Sequence, residues 1–228
     1  MENYDSMIVF YIGAWPVSMT IFSTWIVIAL LALLSWFATR RMKVSQNVSR
    51  FQTFMEAVVL FVHQEIYETS NDNPKKYIGM ALTLFLFIAL CNVLTIIPGF
   101  RPPTASLSTT LAMSLVVFIA IPIYSVMNAG WKGYLHKFIE PTPLMLPINI
   151  FSDISSTLAM ALRLYGNMIS GTMFAFILTS FMPFLLPLPM TLLGLLTGTI
   201  QAYIFMLLAI VYTSSLPPQQ PYIHKERR

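Results

Sequence analysis

A single guanidinium, Arg163, sits inside LPINIFSDISSTLAMALRLYGNMISGTMFAFILTSF, a stretch apolar enough to lie within a membrane. From Leu164 to Ile223 no Asp, Glu, Lys, Arg or His follows it, and the nearest upstream charge is Asp153, nearly three helical turns back. Holding an Arg at membrane depth costs at least about 2.5–3.5 kcal/mol, so such a residue marks a place where a fixed positive charge is needed. Its own segment supplies no complement. The counter-charge therefore belongs on another subunit or on a ligand.

Around it, Arg163, Gly166, Asn167, Ser170 and Gly171 recur at three, four, seven and eight residues, which puts them on one face of a helix. That face is polar and small in an otherwise bulky Leu, Met and Phe segment. In the last apolar segment Gly194, Thr197, Gly198 and Gln201 likewise share a face, with Gly194 and Gly198 in a small-xxx-small arrangement. Antiparallel pairing of the two segments would bring Gln201 near Arg163. For Gly194, Thr197 and Gly198, plain helix-to-helix packing accounts for the pattern equally well.

Other chemistry is absent. The chain has no P-loop, no GxGxxG, no paired histidines of the haem-holding kind and no serine nucleophile with a neighbouring base, so it does not read as an enzyme and needs no cofactor. Its one cysteine, Cys91, excludes an internal disulfide or a cysteine metal site and reads as a small buried hydrophobe. His63 has no second ligand at helical spacing and reads as a boundary residue, not a metal or proton site.

The elements that hold these residues follow from hydropathy. Of 228 residues 57% are hydrophobic and only 10% charged, against about 25% charged in soluble domains. This is an integral membrane protein. The acidic start MENYDS, followed by a long apolar run, indicates a retained first span and not a cleaved leader. Five segments reach spanning length: 20–38, 77–97, 106–127, 147–181 and 189–213, each bounded by charge or proline. Residues 1–19 form an outer N-terminal segment and 214–228 an inner tail. Between the first two spans, 48–70 carries Phe51, Phe54, Met55, Val58, Val62 and Ile66 on one side and Gln52, Glu56, Gln64, Glu65 and Glu68 on the other. This is an amphipathic helix that lies on the membrane or on a partner. The predicted fold is all-α: five transmembrane helices, one interfacial helix, and a long tilted antiparallel hairpin made by the last two. The fourth span, at 1.5 Å per residue, is roughly 50 Å long against a hydrocarbon core of about 30 Å, and so must lie slanted.

Placing the N-terminus outside and the C-terminus in the cytoplasm puts Arg40, Arg41, Lys43, Arg50, Lys75, Lys76, Lys132, Lys137, Lys225, Arg227 and Arg228 inside. Only Arg101 is then outside and Arg163 within the membrane, as the positive-inside rule requires. The net charge of +4 is explained by orientation, not by nucleic acid. No internal repeat is evident, which weighs against a secondary carrier built on inverted repeats. A scaffold whose Arg163 grips a lipid headgroup is a third possibility, tested by replacing Arg163.

ALRLYGNMISG, followed by IQAYIFMLLAIVYTSS, resembles the signature pair of subunit a of F-type ATP synthases, and NVLTIIPGFRPPTASLSTTLAMSL resembles that family's preceding hairpin. The likeness runs from about Tyr77 to Ser214. It implies a non-catalytic stator channel facing a rotating ring of c subunits, with a peripheral-stalk subunit b near the first span and the amphipathic helix. It further implies that Arg163 is the family's essential arginine, that Asn167 matches its asparagine one turn on, and that Gln201 matches its last-helix glutamine. A ring carboxylate meeting Arg163 would be driven to ionise. The fixed charge would also stop a cation from passing straight between two half-channels. Location in a bacterial plasma membrane goes with this reading.

The chain departs from the family at two positions. Thr172 stands where many members carry an acid, and Gly194 where many carry a histidine. Either the outer half-channel is a water wire lined by Ser170, Thr172, Thr197 and Asn92, or the ion is Na⁺, which needs oxygen ligands and water in place of a titrating relay. H⁺ is the commoner ion of the family and is the expectation here by analogy. Asp153 matches a region where the family carries acids near the inner funnel; a helix N-cap is the other reading of it.

Overall fold

The structure, a computed structural model, describes residues 8–12, 15–40, 50–70, 74–97, 100, 102–139, 145–181 and 187–214. Outside these lie Arg41, Lys43, Arg101, Lys225, Arg227 and Arg228, the Pro98-Gly99 end of the second apolar segment, the 182–186 connection and the tail beyond Ser214.

The described chain is helical apart from one hairpin. Strands β1 (Ile8–Ile12) and β2 (Trp15–Ser18) pair antiparallel, with Tyr11 opposite Pro16 and Ile12 opposite Trp15. This short hairpin lies in the N-terminal segment ahead of the first span, and the rest of the described chain has the all-α architecture expected. β-Branched and aromatic residues in IVFYI favour the extended backbone, and the run is too short to cross a bilayer.

Helix α1 (Met19–Arg40) buries only Ser23 and Val27 and leaves Trp25, Ile28, Leu33 and Trp36 about half exposed. It ends where the Arg40 guanidinium stacks 4.2 Å over the Trp36 ring, a cation–π pair suited to a membrane boundary. Helix α2 (Arg50–Thr69) is amphipathic as its periodicity requires. Its Val62 and Ile66 are fully buried against Tyr77, Ala81, Met206 and Ile210. The partner of this helix is therefore the protein's own membrane core. A 3-10 turn at Pro74–Lys76 leads into α3 (Ile78–Leu94), and a second 3-10 turn, Pro103–Ala105, links α3 to α4 (Leu107–Ile139). At Gly130 the backbone of α4 turns to φ 70°, a conformation that glycine adopts without the Cβ penalty. The helix bends there, just past the apolar part that ends at Met127.

Helices α5 (Met145–Phe181) and α6 (Pro187–Ser214) pack on each other and on α3 and α4. The central cluster draws Leu84 and Ile88 from α3, Val117 from α4, Met160 and Leu164 from α5, and Ala202, Phe205 and Ala209 from α6. Among the described residues three stretches are long and apolar enough to cross a membrane, Met19–Arg40, Leu107–Met127 and Thr191–Ser214; Ile78–Leu94 is a shorter apolar helix. At 37 residues α5 is the longest helix, and Asn149, Ser152, Asp153, Ser155, Ser156 and Thr157 make its first half more polar than its neighbours.

Candidate functional site

The alternation of large and small residues along α5 sorts them onto two sides. Met160, Ala161, Leu164 and Met168 are buried in the bundle, whereas Arg163, Gly166 and Ser170 lie on the opposite, exposed side. Asn167 and Gly171 sit at the border between the two. Arg163 makes no hydrogen bond or ion pair among the described residues, and it is flanked by exposed Leu162 and, about three turns on, by Met173 and Phe174. A Cβ added at Gly166 or Gly171 would meet nothing within 4 Å. The arginine thus stands on a bare, low-relief surface that a neighbouring helix can approach closely.

The hydroxyls on these helices are turned inward to their own backbone. Ser170 Oγ donates to Asn167 O at 3.1 Å, and Thr172 Oγ1 to the carbonyls of Met168 and Ile169 at 3.2 and 3.0 Å. Thr197 Oγ1 on α6 bonds the carbonyls of Leu193 and Gly194 at 3.0 and 3.2 Å. Each proton is thereby committed to the helix, which lowers the cost of a hydroxyl in an apolar medium and leaves the oxygen's lone pairs facing outward. These groups can accept from water or solvate a cation. Thr197 is exposed, Thr172 half-buried, and Gly194 has open space where a Cβ would stand.

Gln201 is placed differently from Arg163. It is 7% exposed, inside the bundle, and no hydrogen bond joins it to the arginine among the described residues. The two helices do meet at this level, because Leu164 and Ala202, the next residues along, share the central cluster. Asn92, near the end of α3, is 2% exposed and packs against Gly198 of α6. A Cβ built on Gly198 would fall 2.6 Å from Asn92 Cγ, 2.7 Å from Nδ2 and 2.9 Å from Oδ1. Only glycine admits the amide there.

Asp153 lies two turns inside α5, so the N-cap reading is corrected: the helix starts at Met145, well before the aspartate. Its carbonyl accepts from Thr157 Oγ1 at 2.8 Å, and the residue is half-buried. His63 is exposed on α2, Cys91 is a buried free thiol, and no group of three metal-ligating side chains occurs among the described residues.

Sequence reading passed over two features. Thr104, in the second 3-10 turn, is fully buried and packs beside the Cys91 thiol. Tyr203 on α6 faces the Glu65 carboxylate of α2, with the Phe61 ring 5.7 Å away. Both are contacts between distant segments; Glu65 alone carried a signal, being the acid nearest the apolar stripe of α2.

Residues 21–214 match the family described as ATP synthase A chain. Over 211 residues, 92% of this chain, the sequence is 46% identical to ATP synthase subunit a 1 of Chlorobaculum parvum, covering 93% of that protein. It is 45% identical to ATP synthase subunit a 2 of Acaryochloris marina and 46% identical to ATP synthase subunit a of Albidiferax ferrireducens, in each case over 92% of this chain and 90% and 91% of the relative.

Proposed function

The chain belongs to the ATP synthase A chain family, and on that footing we propose that it is the ion-conducting stator of a rotary F-type enzyme. It is a non-catalytic membrane subunit of that complex. The observation that carries the specific reading is Arg163, exposed and unpaired among the described residues, on the small-residue side of α5. A ring of c subunits supplies the missing counter-charge: each carboxylic acid, neutral in lipid, meets the guanidinium and ionises because an adjacent positive charge favours the carboxylate. The same charge repels any cation moving directly between the two sides. Ions then have to travel with the ring.

In this scheme the chain crosses the membrane five times, with its N-terminus outside and its C-terminus in the cytoplasm of a bacterial cell. The slanted α5 and α6 form the hairpin that faces the ring, and a subunit b sits near α1 and α2. Asn167 and Gln201 flank the exchange point. Ser170, Thr172, Thr197 and Asn92 line the outer half-channel, and Asp153 belongs to the inner one. The ion is H⁺ carried over water. A second reading, Na⁺, is favoured by one observation: Thr172 and Gly194 occupy the two relay positions, and neither titrates.

Replacing Arg163 by Ala tests the stator role. The complex should assemble with its c-ring, lose ion-coupled ATP synthesis and become leaky to the ion. An Arg163→Ala complex that keeps coupled synthesis, or one that cannot retain the c-ring, defeats the proposal. Hydrolysis assayed with and without Na⁺ at fixed pH chooses the ion, strong Na⁺ activation deciding against H⁺.

A further inference from the structure

Helices α3 and α4 both pack on α6, and towards the start of α3 they leave between them an open groove of about 490 Å³. Its floor is Ala120, almost fully buried, and Tyr124, whose ring lies 5.1 Å from that of Tyr77. On the α4 side the wall is Val116, Ile119, Ile123 and Met127, each more than half exposed. Met80 faces them from α3, and the exposed Lys76 stands at the mouth. The groove is apolar along its length and cationic at one end.

That end lies at a membrane boundary. Lys75 and Lys76 close the 3-10 turn before α3, the apolar part of α4 stops at Met127, and Trp131, four residues on, is 71% exposed. Lysine and tryptophan gather where hydrocarbon gives way to headgroups. From Met127 back to Val116 the helix rises roughly 16 Å at 1.5 Å per residue, about half of a hydrocarbon core of about 30 Å. Beyond Val116 the space closes, because Val117 joins Leu84 and Ile88 of α3 in the central cluster. The groove therefore has the depth of one leaflet. A partner helix crossing the bilayer would need the full thickness, whereas an acyl chain needs half and hangs from a headgroup.

We propose that the groove between α3 and α4 binds an anionic glycerophospholipid, one acyl chain lying along Val116, Ile119 and Ile123 and the phosphate meeting Lys76. Apolar contact alone would not select it, since every lipid tail is as apolar as the groove. The headgroup makes the choice: a lysine near the surface favours net negative lipid by about fivefold, and Lys75 adds its field to that of Lys76. This site goes beyond the stator reading and stands without it, because no residue of the ion path takes part. Lys76→Gln removes the charge at the mouth. Ile119→Trp fills the groove from an exposed position and leaves the packed interior alone.

The test uses the whole ATP synthase in liposomes of equimolar phosphatidylcholine and phosphatidylglycerol. A trace of either lipid carries a photoreactive diazirine midway along one acyl chain, and after irradiation the adducts on this subunit are mapped by mass spectrometry. The phosphatidylglycerol probe should label 116–127 at least about fivefold more than the phosphatidylcholine probe. Lys76→Gln should cut that preference about fivefold while labelling by phosphatidylcholine stays the same. Ile119→Trp should remove most of the labelling by both probes. Equal labelling by the two probes in the wild type means ordinary bulk lipid and overturns the site. Absence of labelling by either means that a neighbouring subunit covers the groove, and overturns it too. So does a preference that survives Lys76→Gln. Should Ile119→Trp fail to assemble, the comparison of probes in the wild type and in Lys76→Gln decides alone.

Discussion

The Asn92 amide occupies the volume that a side chain at residue 198 would fill: Cγ, Nδ2 and Oδ1 all lie within 2.9 Å of the position of that Cβ. The two residues are far apart in sequence, and their fit fixes how α3 lies on α6.

Glycines on α6 should therefore differ in their tolerance of alanine. Gly194 has nothing within 4 Å of its Cβ position, and alanine is the better helix former by about 0.8–1.0 kcal/mol. A Gly194→Ala complex should melt at the same temperature as the wild type or slightly above it, and Gly198→Ala several degrees below. Equal melting of the two variants would mean that the Asn92 amide can turn away freely.

Charge and shape at Arg163 should separate in two measurements. Lysine keeps the charge but presents a compact ammonium where the guanidinium presents a planar fork. Arg163→Lys should hold passive ion leak near the wild-type level while ATP synthesis falls at least about tenfold. Arg163→Gln should lose both. A lysine variant as leaky as the glutamine one would show that a fixed positive charge is not the barrier.

The seat of α2 should carry stability that its exposed side does not. Ile66 is fully buried against α3 and α6, and removing such a side chain costs about 2–5 kcal/mol. Phe54 is 61% exposed, and Phe54→Ala should stay within about 0.5 kcal/mol. Thermal unfolding of the detergent-purified complex compares them; similar losses would place the anchoring elsewhere.

At the bend of α4, Gly130→Ala forces an L side chain into φ 70°, a cost of about 1–2 kcal/mol. Gly79, helical and with open space around it, serves as the control. Proteolysis across 128–139 should speed up in the first variant and not in the second. Unchanged cleavage in Gly130→Ala would show that the bend persists without glycine.

Arg163 was legible in sequence because its signal is local: a charge inside an apolar run needs no knowledge of neighbours to be costly. The helical character of the chain was legible for the same reason, since hydropathy sets which segments bury their backbone polar groups within a helix. The family followed from short motifs. The contacts that shape the interior were not legible. Nothing in TGTIQAYIF says that Gly198 will meet an amide from α3, or that Tyr203 will face Glu65, because both depend on how helices cross. Gly198 read as equally suited to plain helix packing. The hairpin of β1 and β2 was missed because its alternation is short and sits in a region whose overall apolarity suggested only the approach to a span.

The lodging of α2 turns a short amphipathic helix into a buttress. A sideways thrust on the Arg163 surface passes through Leu164 and Ala202 into α6, and meets α2 where Val62 and Ile66 clasp Met206 and Ile210. Phe54, Leu60 and Tyr67 remain exposed on α2, away from this seat. On the stator proposal, a load on the Arg163 surface would therefore be backed from behind by α2 as well as along the length of α6.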